Sequence, residues 1–287
     1  MGHDVHTWGA GDVARTYRWP KADDHKYSRG VLGLLTGSAT FPGAAVLSSL
    51  GALHTGLGML RYLGDRAVCD VVLARAPETV VTAGRTDAWA IGSGIDVAQA
   101  SAQTLQQART MLNDDVRPAV VDAGALALVE PATVTANAHH WVLTPHAGEF
   151  ARTAARFDVD ASADRLQTDR VGAVRDLAAA THSVVLLKGA QTLISDGTRT
   201  VAVHSGTPWH ATAGTGDVLT GAIGAVLAGL AADHTPTADL LIDAAATGAW
   251  LHGQAGRHTP HPFTPVQLAQ AIPFALTEAA SRADLRA

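Results

Sequence analysis

Short, unbroken apolar runs alternate along this chain with longer stretches in which apolar residues recur every three or four positions. The runs at 31–35, 59–63, 88–91, 118–122, 140–143 and 184–189 have strand length and no polar face. Runs of this kind are buried on both sides, as in a parallel sheet. Segments 44–55, 65–74, 97–112, 164–180, 218–230, 240–254 and 266–280 carry helical spacing. Residues 78–83 predict one more short strand, and 191–195 and 200–204 flank the hairpin signal Asp196-Gly197. Residues 1–28 predict an arm draped over the body, with Trp8, Tyr17, Trp19 and Pro20 as apolar anchors among polar residues. Strand–helix alternation over residues 29–287 predicts one α/β domain. Its central sheet is doubly wound and mainly parallel, with helices on both faces.

Composition narrows the classes. Hydrophobic residues make up 47% of the chain and aromatics only 5%, so the core is aliphatic. The net charge of −5 gives no nucleic-acid surface. Met1 to Pro20 is polar and carries both signs of charge, unlike a signal peptide, and no uncharged apolar run has the length of a membrane span. A single cysteine, Cys69, excludes an intrachain disulfide and suits the cytoplasm. The 14 histidines repeat no zinc spacing, so no metal site is read from the side chains.

The chemistry gathers at the carboxyl ends of the predicted strands, where open α/β sheets bind ligands. Gly214-Thr215-Gly216-Asp217 turns directly into an apolar helix. Free N–H groups and the helix dipole make such a turn an anion hole. Asp217 is out of place beside an anion. It is either a helix cap or a base that takes a proton from a hydroxyl while the hole holds the phosphoryl group under attack. Lys188-Gly189-Ala190-Gln191-Thr192 sets a cation and a bare turn at a strand end, for phosphate or simply for solvent. His146, between a strand and a helix, either caps or touches ligand. Ala44 opens a helix with small residues, for a flat ligand or for close packing. Gly94 ends a turn, and Asp122 either orients a loop or meets a ligand. His204, His210 and His252 read as structural or solvated.

Taken together these motifs resemble a known family. Thr144-Pro145-His146-Ala147-Gly148-Glu149-Phe150, Lys188-Gly189-Ala190-Gln191-Thr192 and Ala213-Gly214-Thr215-Gly216-Asp217-Val218-Leu219-Thr220-Gly221 stand in the order and spacing of the ADP-dependent NAD(P)H-hydrate dehydratases. His25-Lys26, Gly37-Ser38 and Pro42-Gly43-Ala44 add to the likeness, which runs from about residue 8 to about residue 280. That family lies in the ribokinase-like superfamily.

The resemblance implies dehydration of the S epimer of NADHX or NADPHX, the hydrated cofactors, to NADH or NADPH. ADP is the phosphoryl donor, Mg2+ screens the phosphates, and AMP and phosphate are released. It implies Asp217 as the base and Gly214, Thr215 and Gly216 as the anion hole. Lys188, Gly189, Ala190, Gln191, Thr192 and Gly216 would contact ADP or AMP. Ala44, Gly94, His146 and Asp217 would contact the hydrated dinucleotide. It further implies a homotetramer, and an epimerase that is a separate protein.

Three positions depart from the family pattern: Tyr27-Ser28-Arg29 after Lys26, Thr36 in place of a glycine, and Gly124 in place of a second acid. They are expected to alter the rim of the site and to leave the anion hole and Asp217 intact. Two other readings use the same loop: a ribokinase-like kinase of a vitamin-precursor alcohol, and an adenine-nucleotide sensor without turnover.

Overall fold

The computed structural model describes residues 5–137 and 140–282, without the side chains of 135–137. Both faces of its sheet are dry, which is why the strands read as continuous apolar runs. Leu32, Leu34, Ala90, Val120, Val142 and Leu186 turn to one face. Leu35, Ile91, Val121, Leu143, Val185 and Leu187 turn to the other.

The strands are β1 (His6–Thr7), β2 (Val31–Leu35), β3 (Met59–Tyr62), β4 (Ala88–Ile91), β5 (Ala119–Val121), β6 (Trp141–Leu143), β7 (Val184–Leu187), β8 (Thr192–Ser195) and β9 (Thr200–Val203). Among the described residues they form one nine-stranded sheet in the order β1-β9-β8-β7-β6-β5-β4-β2-β3. Only β8 runs against its neighbours. The chain leaves β2 for the β3 edge and returns on the other side of β2 as β4, which makes a topological switch point between β2 and β4.

Register then places the site. Leu35, Ile91, Val121 and Leu143 share one rung, so Thr36, Gly92, Asp122 and Thr144 follow side by side. The bonds Gly92 N to Leu35 O, Asp122 N to Ile91 O and Thr144 N to Val121 O carry the ladder one residue further.

The helices are α1 (Ala10–Thr16), α2 (Pro42–His54), α3 (Arg66–Arg75), α4 (Ala102–Leu112), α5 (Pro131–Asn137), α6 (Ala147–Arg156), α7 (Ala163–Thr168), α8 (Arg170–Thr181), α9 (Thr215–Asp233), α10 (Ala238–His258) and α11 (Pro265–Arg282). Helices α2, α9, α10 and α11 pack together on one face. Helices α4, α6 and α8 cover the other. Small residues let α2 and α9 touch backbone to backbone: a Cβ on Gly221 would lie 2.0 Å from the Ser48 carbonyl oxygen. Helix α9 is long and apolar enough to cross a membrane by length and composition, but 72% of it is buried inside this core.

Three elements differ from the sequence reading. Residues 78–83 form no strand, only a single bridge between Val80 and Arg61. The Arg61 guanidinium bonds the carbonyls of Thr82, Ala83 and Arg85, and so holds this stretch as a loop. The helix expected over 164–180 is broken at Asp169, which ends α7 and whose carboxylate caps α8 by accepting from Gly172 N at 2.9 Å. The helix expected from 97 starts later, where the Ser101 hydroxyl accepts from Thr104 N. In the N-terminal segment, β1 adds to the sheet edge beside β9, and Trp8 is buried beneath it.

Candidate active site

The loop before α9 is shaped by one backbone requirement. Gly214 sits at φ +95°, and a Cβ there would meet Leu47 Cδ1 at 2.6 Å. Only glycine fits both constraints. No side chain caps this helix end, so its first N–H groups stay available to an anion. Asp217 lies in the first turn and does not cap it. Its carboxyl stands beside Ser93, Asp122 and Lys188. Burial, and then the charge of Asp122, push it up to about 6, while Ser93 and Lys188 pull the other way. A carboxyl tuned there is mostly ionised at neutral pH and is a stronger base than an ordinary aspartate.

Asp122 anchors the cluster. Its Oδ1 accepts from Lys188 Nζ and from Thr144 Oγ1, both at 2.8 Å. Its Oδ2 accepts from Ser93 Oγ and Thr220 Oγ1, both at 2.9 Å. Burial alone would raise this carboxyl, but the Lys188 charge and these bonds more than reverse that and hold it below the usual range. Burial likewise works against the Lys188 ammonium. Asp122, then Glu149 and Asp217, outweigh it and raise Lys188 above an ordinary lysine. Glu149 Oε2 is 3.8 Å from Lys188 Nζ and also accepts from His146 N at 2.9 Å. His146 caps α6: its Nδ1 accepts from Gly148 N at 3.0 Å, which leaves the half-exposed ring with its proton on Nε2, toward Glu149.

Two cavities lie close to this cluster, one at the start of α9 and one beside Gly94. One, of about 510 Å3, lies between the 188–192 turn, the 205–211 loop and the start of α9; Lys188, Gly189, Ala190, Thr192, Thr215 and Gly216 are on its wall. Gln191 is turned aside, with its amide 3.1 Å from His204 Nε2. The turn is fixed by Arg170, which donates to Gln191 O at 2.6 Å and to Lys188 O at 3.2 Å. His252 closes the cavity from α10. Its Nε2 donates to Thr215 O at 2.9 Å, and burial pushes its pKa down to about 3, so it stays neutral. The second cavity, of about 250 Å3, is lined by Gly37, Ser38, Phe41, Ile95 and Asp96 among others. Ala44 and Gly94 meet beside it: Gly94 is at φ +73°, and a Cβ there would lie 2.6 Å from Ala44 Cβ. The neighbour of Gly94 in the chain is Ser93, which reaches Asp122 and Asp217. The structure thus brings Lys188, Thr215, Gly216 and Asp217 into one group, with Ala44 and Gly94 beside the smaller cavity and linked to the group through Ser93. His146 joins at the rim through Glu149.

Sequence reasoning missed Ser93, Thr144 and Thr220 as partners of Asp122, although Ser93 and Thr144 follow strand ends and Thr220 is one turn beyond Asp217. Arg170 had no sequence signal, since it acts from a helix remote in the chain. One expectation is corrected. Residues 27–29 do not border the site. They sit before the amino end of β2, where Arg29 and Gly30 pack on Ala228 and Gly229 near the far end of α9. Thr36 and Gly124 are at the site end. A Cβ on Gly124 would fall 1.7 Å from Ile95 O, so the 92–95 loop occupies the room that a second acid would need.

A family model described as NAD(P)H-hydrate dehydratase matches residues 32–276 of this chain. The chain belongs to the NAD(P)H-hydrate dehydratase family. The bifunctional NAD(P)H-hydrate repair enzyme Nnr of Mycobacterium tuberculosis is 43% identical over 233 residues, 78% of this chain and 46% of that protein. The chain therefore spans about half the length of the bifunctional relatives it matches. Within the dehydratase family, the ADP-dependent (S)-NAD(P)H-hydrate dehydratase of Neisseria meningitidis serogroup B is 35% identical over 246 residues, 81% of this chain and 78% of that one. The solved structure of the ADP/ATP-dependent NAD(P)H-hydrate dehydratase of Bacillus subtilis, co-crystallised with ATP and Mg2+, superposes with a TM-score of 0.78 at 27% identity. That match covers 97% of this chain and 100% of the Bacillus chain. The fold of this dehydratase-family chain is the ribokinase-like one.

Proposed function

We propose that this protein dehydrates the S epimer of NADHX or NADPHX at the expense of ADP, restoring NADH or NADPH and releasing AMP and phosphate. The observation that carries the reading is the position of Asp217. It is a carboxyl pushed up to about 6, in the first turn of an uncapped helix whose opening residues, Thr215 and Gly216, line the larger cavity. ADP occupies the larger cavity, along Lys188–Thr192 and Gly216, with its terminal phosphoryl group at the amides of Gly214 to Gly216. The hydrated ring lies toward Ala44 and Gly94, with His146 at the rim.

Asp217 takes the proton of the ring hydroxyl as that oxygen bonds to the terminal phosphorus, and the bond from phosphorus to AMP breaks. Lys188 and the helix amides hold the charge that develops. The ring nitrogen's lone pair then expels phosphate, the neighbouring carbon gives up a proton, and the ring double bond returns.

Magnesium travels with the nucleotide in this reading. Among the described residues no three His, Cys, Asp or Glu side chains are grouped to hold an ion, and in this reading the nucleotide's phosphates would hold it. We also propose a cytoplasmic homotetramer that works alongside a separate epimerase, with residues 1–28 as an arm on a single domain of 29–287. A light-scattering mass of one chain would overturn the tetramer.

The functional test mixes protein with NADPHX, magnesium, and either ADP or ATP, and follows the reduced-nicotinamide absorbance. Recovery with release of AMP and phosphate is expected with ADP. No recovery with either nucleotide, from folded protein that still binds ADP, overturns the proposal and points to an alcohol kinase.

A further inference from the structure

Asp122 is the most heavily bonded carboxylate in the site and the proposed reaction gives it no task. It is 2% exposed. Its four donors come from four places in the chain: Ser93 after β4, Thr144 after β6, Lys188 after β7 and Thr220 on α9. A carboxylate that accepts four donors is held in its ionised form and in one orientation.

We infer that Asp122 is a positioning residue for Asp217: a fixed anion that holds Lys188 off an ion pair with the base and faces the base with a like charge. The inference rests on the proposed function for its catalytic consequence, but its physical content does not.

Lys188 Nζ is 2.8 Å from Asp122 and 3.8 Å from Glu149, and it forms no ion pair with Asp217. It is nonetheless close to the loop, since a Cβ on Gly216 would lie 3.7 Å from Nζ. Without Asp122 the ammonium would be free to turn to Asp217 and pair with it. Asp122 prevents that and adds repulsion of its own. Both effects make Asp217 hold its proton more tightly when empty of ligand, and make it a better acceptor for a hydroxyl proton.

The other groups facing Asp217 do not supply this. Glu149 reaches Lys188 from α6. His146 bonds Glu149 and its own helix end. His252, from α10, is neutral and bonded to Thr215 O. Helices α2 and α11 offer the loop Leu47 and Pro265, neither of which titrates.

The sign of the test follows. Asp122→Asn removes the repulsion and releases Lys188, and both changes favour ionised Asp217. Its titration should move to lower pH by about one unit or more. The readout is carbon-13 NMR of the aspartate carboxyls in the intact protein without substrate, with Asp217 assigned by the loss of its resonance in Asp217→Asn. In the unaltered protein the Asp217 resonance should titrate near 6, while the Asp122 resonance stays at its ionised position throughout.

A folded Asp122→Asn protein in which the Asp217 midpoint does not move overturns the inference. So does an unaltered protein in which Asp122 titrates together with Asp217, or in which Asp217 titrates in the ordinary carboxylate range. Those last two outcomes need no variant, so a poorly folding Asp122→Asn leaves the test standing. A merely structural Asp122 would lower the melting temperature and leave the midpoint in place. Once dehydration is measured, the acid limb of kcat/KM, which reports the free protein, should move down in Asp122→Asn by the same amount as the NMR midpoint. Because the NMR shift is read without turnover, failure of the proposed function and failure of this inference are told apart.

Discussion

Asp217 is held at a cost to the fold, and that cost is measurable. Its carboxyl sits near 6 in the folded chain, above the ordinary value of 3.8. The native state therefore binds the proton more tightly than the unfolded chain does. Stability from this group is present below the ordinary pKa and is lost as pH rises toward 6. Asp217→Asn should melt at a higher temperature than the unaltered protein at pH 7 to 8, with the gap closing below pH 4. The same variant should lose at least ~10²-fold in turnover and keep ADP binding, read by calorimetry. A variant that keeps its turnover would reduce Asp217 to helix chemistry. At this scale the sequence was most legible where neighbours in space are neighbours in the chain. Gly214, Thr215, Gly216 and Asp217 are contiguous and could be read as one device. The shell around Asp122 is drawn from four separate segments, and no spacing in the chain joins Ser93 to Thr220.

Single elements explain where the pattern of apolar positions falls short. Asp169 breaks a helix whose apolar period runs on across it, because the carboxylate captures the Gly172 N–H. Arg61 cancels a strand by taking its carbonyls. Both are side chains competing for backbone groups, which periodicity does not register. Arg170 acts in the same way to useful effect, since its two bonds shape the 188–192 turn from the first residue of α8. Arg170→Met should leave those carbonyls without their donor and loosen the turn. A roughly tenfold rise in KM for ADP is expected, with a much smaller change in kcat, since about 1 to 1.5 kcal/mol is lost from ordering the site rather than from the reacting atoms. Equal losses in both constants would place Arg170 in the chemistry instead.

The whole molecule is one sheet with a dry face on each side. Its class was legible because strands buried on both sides leave no polar positions. The order of strands was not, because crossovers are set by packing between faces. Strand β1 escaped the reading altogether: two polar residues, His6 and Thr7, carry no apolar signal, and they pair with β9 through backbone bonds. Removal of residues 1–9 should uncover the β9 edge and the pocket filled by Trp8. Open edges recruit other strands, so the truncated chain should show concentration-dependent association by size exclusion into species larger than those the full chain forms.

The place of Asp217, next to the Thr215–Gly216 wall of the larger cavity and joined through Ser93 to Gly94 beside the smaller one, fixes a kinetic property of the proposed reaction as well. The ring hydroxyl attacks the terminal phosphorus directly as Asp217 takes its proton, so no side chain carries the phosphoryl group. Both substrates must be seated together before anything reacts. Double-reciprocal plots against each substrate should therefore intersect and never run parallel, and neither product should leave before the second substrate has arrived.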